Sequence, residues 1–322
     1  MPLHAAACPG EQLINVAVES LERIVDDHRM PDNPDPAFAA LLDDPRSALR
    51  PPRQGSEMAV YRARIDAPMA AVSGSALPSV ETLDRAVTGL RSTLRLYCFT
   101  PSPRDAILFV HGGGFVVGSL DSHDAMCRSI AVASGVMVVA VDYRLAPEYP
   151  YPAGRNDVLA AWRWLMSQGC GRVALCGDSA GGYLAVVAAV AGRGQGMSAA
   201  ALSLLYPAVD PACHSASWDL FGVGHLLTRD WMRWAWTAVG EPDALTKLDL
   251  TGLPPTLVVT AGCDPLGDEG IALVDALRLS GVSVRHARIP GMIHGFASLP
   301  TLTPQAETTI NRVAEHLSQH MR

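Results

Sequence analysis

The chain has 322 residues, 49% apolar and 18% charged, which excludes a disordered or fibrous protein and supplies the core of one large α/β domain. Residues 1–45 carry the whole formal net charge of −7, nine acids against two arginines, while residues 46–322 balance at 23 acidic and 23 basic side chains. No basic field exists to attract nucleic acid, and with Lys247 the only lysine, most lysine-based mechanisms fall away.

Residues 11–28 place Leu13, Val16, Ala17, Leu21, Ile24 and Val25 at a helical period, with acids between them. Met30–Pro36 breaks that helix, a short helix is expected over Ala37–Leu42, and the Pro/Arg-rich residues 45–56 read as connection. From residue 80 strands alternate with helices. Strands are expected at Thr93–Thr100, Ala106–Val110, Val136–Val141, Arg172–Cys176, Ala200–Leu205, Thr256–Thr260 and Val282–Ile289. Helices are expected at Ser122–Ser134, Arg155–Gln168, Ala180–Gly192, Gly270–Leu279 and Pro304–His320. Continuous β-branched runs alternating with helices specify a doubly wound α/β sheet with right-handed crossovers. Residues 207–250 interrupt the alternation, carry Trp218, Trp231, Trp234 and Trp236, and read as an insertion above the carboxyl edge of the sheet.

The seven cysteines form no C-x-x-C pair and have no zinc-ligand spacing, so they are expected to be buried small hydrophobes in a reducing compartment, with no metal site. The N-terminus lacks the pattern of a secretory signal, and the longest apolar stretch, Leu184–Ala191, is far short of a membrane span. A cytoplasmic protein with no membrane partner is the expectation.

Two glycine-rich motifs carry chemistry. Gly177-Asp-Ser179-Ala-Gly181-Gly182 follows an expected strand and opens an expected helix, where a serine on a sharp turn exposes its hydroxyl as a nucleophile. His111-Gly-Gly-Gly114-Phe115 follows another strand, and its bare backbone N–H groups can converge on a developing oxyanion. It is no dinucleotide or Walker loop, because Val117 replaces the third glycine and no lysine follows. A Ser…Asp/Glu…His order then selects the partners. Six histidines follow Ser179. His214 and His225 lie in the insertion, His286 inside a strand, and His316 and His320 on the last helix, where they are expected to be solvated. His294 lies in a loop at the carboxyl edge, where functional residues gather. Asp264 follows the preceding strand; its rivals Asp268 and Glu269 read as N-cap and first-turn acids of the next helix.

These segments, with Asp142-Tyr-Arg-Leu-Ala-Pro-Glu148, Asp264-Pro-Leu-Gly-Asp-Glu269 and His294-Gly-Phe296, resemble the hormone-sensitive-lipase-like family of α/β-hydrolases, in the branch with the GDSAG elbow and near bacterial acetyl esterases. The resemblance implies a mostly parallel eight-stranded sheet with a helical cap. It divides the chain into an N-terminal cap segment (1–50), a first part of the hydrolase core (51–206), a cap insertion (207–250) and a second part of the core (251–322). It implies Ser179, Asp264 and His294 as triad, Gly112, Gly113 and Ala180 as oxyanion donors, and Phe115, Tyr183 and Tyr206 as candidate substrate contacts. It also implies hydrolysis of short-chain (C2–C6) esters without a cofactor, and a homodimer. An amidase resembling arylformamidases is the alternative on the same fold; a non-catalytic small-molecule-binding member is disfavoured by His294. Asp142, Arg144, Glu148 and Asp178 are expected to be structural. Two features depart from the family pattern: Tyr183 stands where asparagine is common, and the stretch 66–79 is longer and more irregular. The acidic N-terminal segment would then form a lid that disfavours anionic substrates.

Overall fold

Eight strands form one sheet in the order β1-β2-β4-β3-β5-β6-β7-β8. They are β1 (Glu81–Ala86), β2 (Thr93–Cys98), β3 (Asp105–Val110), β4 (Met137–Val141), β5 (Arg172–Asp178), β6 (Leu202–Leu205), β7 (Thr256–Cys263) and β8 (Val284–Ile293). The computed structural model describes residues 32–72, 80–87, 91–98 and 104–321. Every element lies within the unit Pro34–Arg322. The helix expected at 11–28, most of the acidic segment and Cys8 lie outside the described residues.

β1 and β2 run antiparallel, as do β2 and β4, and the other pairs are parallel. The strands nearest the middle are mostly apolar because helices cover both faces; all five residues of β4 are buried. The layers are built by α3 (Asp124–Ser134), α4 (Ala153–Ser167), α5 (Ala180–Arg193), α8 (Gly267–Leu279) and α9 (Pro304–Gln319). Helix α5 follows the strand that carries the elbow and has almost no polar residue, so its burial is nearly complete.

Two helices precede the sheet, α1 (Ala39–Asp43) and α2 (Met58–Val72). The resemblance starts the core at residue 51, and the sequence pattern shows no sign of α2 or β1. Both are weakly patterned: α2 contains Pro68, and all of β1 is exposed on the sheet edge. The insertion folds into α6 (Ala216–Phe221) and α7 (Arg229–Val239), with Trp218, Trp231 and Trp236 buried. It is stitched to the segment before α2 and to α2 itself: Leu49 N–H donates to Leu226 C=O (2.9 Å), Thr228 Oγ1 to Leu49 C=O (2.7 Å), and Trp231 Nε1 to Tyr61 Oη of α2 (2.7 Å).

One expectation for the last helix is corrected. His316 is 2% exposed, its Nε2 lies 3.3 Å from Pro255 C=O, and burial pulls its pKa down to about 4. It faces inward because it falls in register with Ile310, Val313 and Leu317 on the apolar stripe of α9.

Candidate active site

Ser179 stands on the turn between β5 and α5 with φ +52°, a left-handed conformation that side chains seldom adopt. The glycines around it make the turn possible. A Cβ on Gly181 would overlap the carbonyl oxygen of Val110, and one on Gly177 would approach the Gly181 carbonyl at 2.5 Å. The strain presents the hydroxyl at the carboxyl edge of the sheet.

Asp264 and His294 come from the ends of β7 and β8. The two strands pair regularly to Ala261↔Ile289, then shift register to Cys263↔Ile293. Pro290 and Gly291, the latter at φ +69°, occupy the irregular stretch of β8. The shift makes the next residues of the two strands neighbours, and those are Asp264 and His294. His294 Nδ1 lies 2.8 Å from Asp264 Oδ2, and its Nε2 lies 3.0 Å from Ser179 Oγ. A carboxylate only accepts, so Nδ1 carries the proton and the Nε2 lone pair faces the serine hydroxyl. The Leu266 N–H donates to Asp264 Oδ1 at 2.8 Å and fixes the carboxylate. Asp264 is 1% exposed, Ser179 6% and His294 9%, so these bonds sit where water scarcely competes.

The rival acids both lie in the first turn of α8, whose N-cap is Leu266 and not an acid, and they bond the insertion. Asp268 Oδ2 accepts from Ser217 N–H (2.8 Å). Glu269 accepts from Trp218 Nε1 (2.6 Å), Asp210 N–H (3.1 Å) and Val209 N–H (3.3 Å). Both hold the insertion to α8. Burial raises the Glu269 pKa to about 7 despite these donors.

The glycine loop requires a change to the expected oxyanion donors. Gly112 N–H donates to Asp178 Oδ1 at 2.8 Å, so it is committed within the protein. Gly113 and Gly114 line the cavity instead, at φ +115° and +56°. The C=O of Gly112 lies 2.8 Å from His111 Nδ1, and that of Gly113 accepts from Val116 and Val117 N–H (3.1 and 2.9 Å). Across a trans peptide the N–H points opposite to the C=O. The N–H groups of Gly113 and Gly114 are therefore turned away from these anchors. Ala180 N–H is the first of α5, one of the helix's orphan donors. The N–H groups that these contacts leave uncommitted are those of Gly113, Gly114 and Ala180. The run of three glycines is visible in the sequence, but only the Asp178 contact separates Gly112 from the other two.

Beneath the loop lies a buried polar layer. Burial lowers the His111 pKa to about 3, which keeps this ring neutral; it stacks on Tyr143 with centroids 4.3 Å apart. Burial also opposes charge on His123, but Asp178, 3.4 Å away, outweighs it and raises the His123 pKa. Asp178 gains correspondingly: burial disfavours its charge, yet His123 and the Gly112 N–H hold its pKa below the ordinary value.

The cavity over Ser179 has a volume of about 250 Å³. Gly113, Gly114, Ser179 and His294 form its floor; Leu49, Ile65, Met69, Leu227 and Trp231 contribute walls. The three expected substrate contacts are not among its lining. Phe115 and Tyr183 pack edge-to-face (5.5 Å) and meet Trp236 beneath the loop, and Tyr183 Oη donates to Asp243 C=O (2.8 Å). Tyr206, at φ +36° just past β6, lies edge-on to the His294 imidazole with centroids 5.0 Å apart. The family resemblance points to these aromatics as substrate contacts, but packing holds them in the core. Conversely, the α2 residues of the wall were missed because their helix carries no distinctive motif.

A strand-turn-helix elbow, a glycine loop on the neighbouring strand, and an acid and a histidine on later strand ends define a hydrolase of the α/β class. The profile of the α/β-hydrolase fold family matches residues 107–298. An ethyl acetate hydrolase of Pseudomonas putida is 34% identical over 316 residues, covering 90% of this chain and 99% of that protein. The crystal structure of an esterase from the bacterial hormone-sensitive lipase family superposes with a TM-score of 0.80 at 30% identity, covering 89% of this chain and 99% of the other. An esterase of the archaeon Pyrobaculum calidifontis gives 0.81 at 30% identity, covering 90% and 99%. The chain belongs to the hormone-sensitive-lipase-like esterases of the α/β-hydrolase fold.

Proposed function

We propose that the protein is a serine carboxylesterase acting on short-chain (C2–C6) acyl esters through Ser179, His294 and Asp264. The observation that carries this reading is the unbroken chain Ser179 Oγ–His294 Nε2, His294 Nδ1–Asp264 Oδ2 opening under a cavity of about 250 Å³. Ser179 Oγ adds to the ester carbonyl as its proton passes to His294 Nε2. Asp264 stabilises the imidazolium, and the oxyanion rests on Gly113, Gly114 and Ala180 N–H. His294 then protonates the departing alcohol, leaving an acyl-enzyme on Ser179. Water, deprotonated by the same imidazole, releases the carboxylic acid and restores the serine. Only neutral imidazole can act as the base, so kcat/KM is expected to fall on the acid side.

A volume of about 250 Å³ lies at the small end of ligand pockets, which supports short acyl chains. The relatives named as ethyl acetate hydrolase and esterases point to the same bond. The test is hydrolysis of p-nitrophenyl esters from C2 to C12, beside matched formyl and acetyl amides. A maximum within C2–C6 is expected; faster turnover of the amides, or a maximum at C10 or above, would overturn it. A homodimer and a cytoplasmic location complete the proposal, to be checked by sedimentation and by cell fractionation.

A further inference from the structure

Helix α2 touches more than substrate. Arg62 and Asp66 lie one turn apart on it and reach the same stretch of the glycine loop. Arg62 Nε donates to Val116 C=O at 2.8 Å, and Gly118 N–H donates to Asp66 Oδ1 at 2.8 Å. The Arg62 guanidinium also grips the loop after β4: Nη2 donates to Ala146 C=O (2.9 Å) and Glu148 Oε2 (2.6 Å), and Nη1 to Glu148 Oε1 (2.9 Å). The two loops are themselves joined, since Ala146 N–H donates to Phe115 C=O at 2.9 Å.

These anchors bracket the residues that aim the glycine donors. Val116 and Val117 N–H hold the Gly113 carbonyl, and that carbonyl sets the direction of Gly114 N–H within the same rigid peptide. A Cβ on Gly113 would strike the Val117 carbonyl, so the two backbones are already in contact. A rotation of Val116–Gly118 therefore rotates the Gly113–Gly114 peptide.

We propose that Arg62 and Asp66 are positioning residues for the reaction: by gripping Val116 and Gly118 from outside the sheet, α2 sets the aim of the Gly113 and Gly114 N–H groups at the oxyanion. The proposal rests on the serine-esterase reading. It gives Glu148, at the end of the Asp142–Glu148 motif, a part as the outer anchor of Arg62. The helix that walls the cavity is also the one that holds its oxyanion donors in place, so a displacement of α2 would disarm the site as well as open it.

The test compares full-length wild type with Asp66→Leu, which removes the acceptor at similar volume, Asp66→Asn, which keeps an acceptor without the charge, and Arg62→Met, which keeps the stem. Read for each are kcat and KM on p-nitrophenyl butyrate, inhibition by an alkyl trifluoromethyl ketone that forms a tetrahedral oxyanion on Ser179, and the thermal midpoint. Asp66→Leu and Arg62→Met are expected to lose ~10- to 100-fold in kcat with KM within about two-fold, and to bind the ketone weaker by the same factor. Asp66→Asn should retain most activity. A folded Asp66→Leu with wild-type kcat, a rise in KM alone, or Asp66→Asn as impaired as Asp66→Leu would overturn it. Should the strong variants not fold, Glu148→Ala, an exposed change, decides: kcat and ketone affinity must fall together by a few-fold, and unchanged values sink the proposal. A wild type inert on every ester would refute the functional reading instead.

Discussion

The floor and the roof of the cavity are made in different ways. The floor, Ser179, His294 and the glycine loop with Asp264 behind them, is polar, and bonds among side chains and from backbone N–H groups to carboxylates hold it at 2.8–3.0 Å. The roof, from residues 41–69 and 226–231, is mostly apolar and is held by packing with a few bonds such as Trp231 Nε1 to Tyr61 Oη. Hydrogen bonds fix direction, which proton transfer and oxyanion binding demand. Apolar contact fixes only volume, which suffices to sort acyl chains and tolerates substitution. In the proposed esterase, chemistry and selectivity thus rest on separable parts, joined where α2 reaches the glycine loop.

The sharpest way to break this division is at the floor. Ser179→Ala should lose ~10⁴-fold or more in kcat, and Asp264→Asn, which gives His294 the wrong tautomer, a similar factor, with circular dichroism and KM little changed. Steady-state kinetics on p-nitrophenyl acetate checks both; a modest loss in either would show that the floor does not do the chemistry.

Next comes Glu269, which bonds Trp218 of the insertion to α8. With its pKa raised from 4.5 to about 7 in the folded protein, the native state holds the proton more tightly than the unfolded chain. This contribution is full below pH 4.5, declines as pH rises, and is gone above about 7, a change of about 3 kcal/mol. Urea midpoints at several pH values should therefore fall more steeply from pH 5 to 8 in wild type than in Glu269→Gln. Parallel slopes would remove Glu269 as the source.

The smallest effect is expected at the roof. Met69→Trp should cut kcat/KM for p-nitrophenyl hexanoate by ~10-fold while sparing the acetate, because filling volume excludes only the longer chain. Equal losses on both esters would mean that the roof also shapes the chemistry.

Much of this was legible in the sequence because the signals are local. Apolar runs marked the strands from Thr93 onward, and the elbow, the glycine loop and the order Ser179, Asp264, His294 needed only neighbouring residues. What was illegible depended on contacts between distant segments. Gly112 and Gly114 look alike until Asp178, 66 residues beyond Gly112, takes the N–H of one. Tyr206 and Phe115 look like pocket aromatics until the core absorbs them. His316 looks solvated until the phase of α9 is set against the sheet. Helix α2, with Pro68 inside it, shows little periodicity, and its Arg62 and Asp66 bond backbone groups of the glycine loop.

The sequence by itself determined the class of fold and singled out the candidate elbow serine, acid and histidine, since steric demands on glycine and the alternation of strands and helices act over a few residues. The tertiary structure alone decided which glycine amides are left uncommitted, which residues wall the cavity and how α2 grips the loop. Each of these is the competition of several donors and surfaces for one place, and it is resolved only when the whole chain has packed.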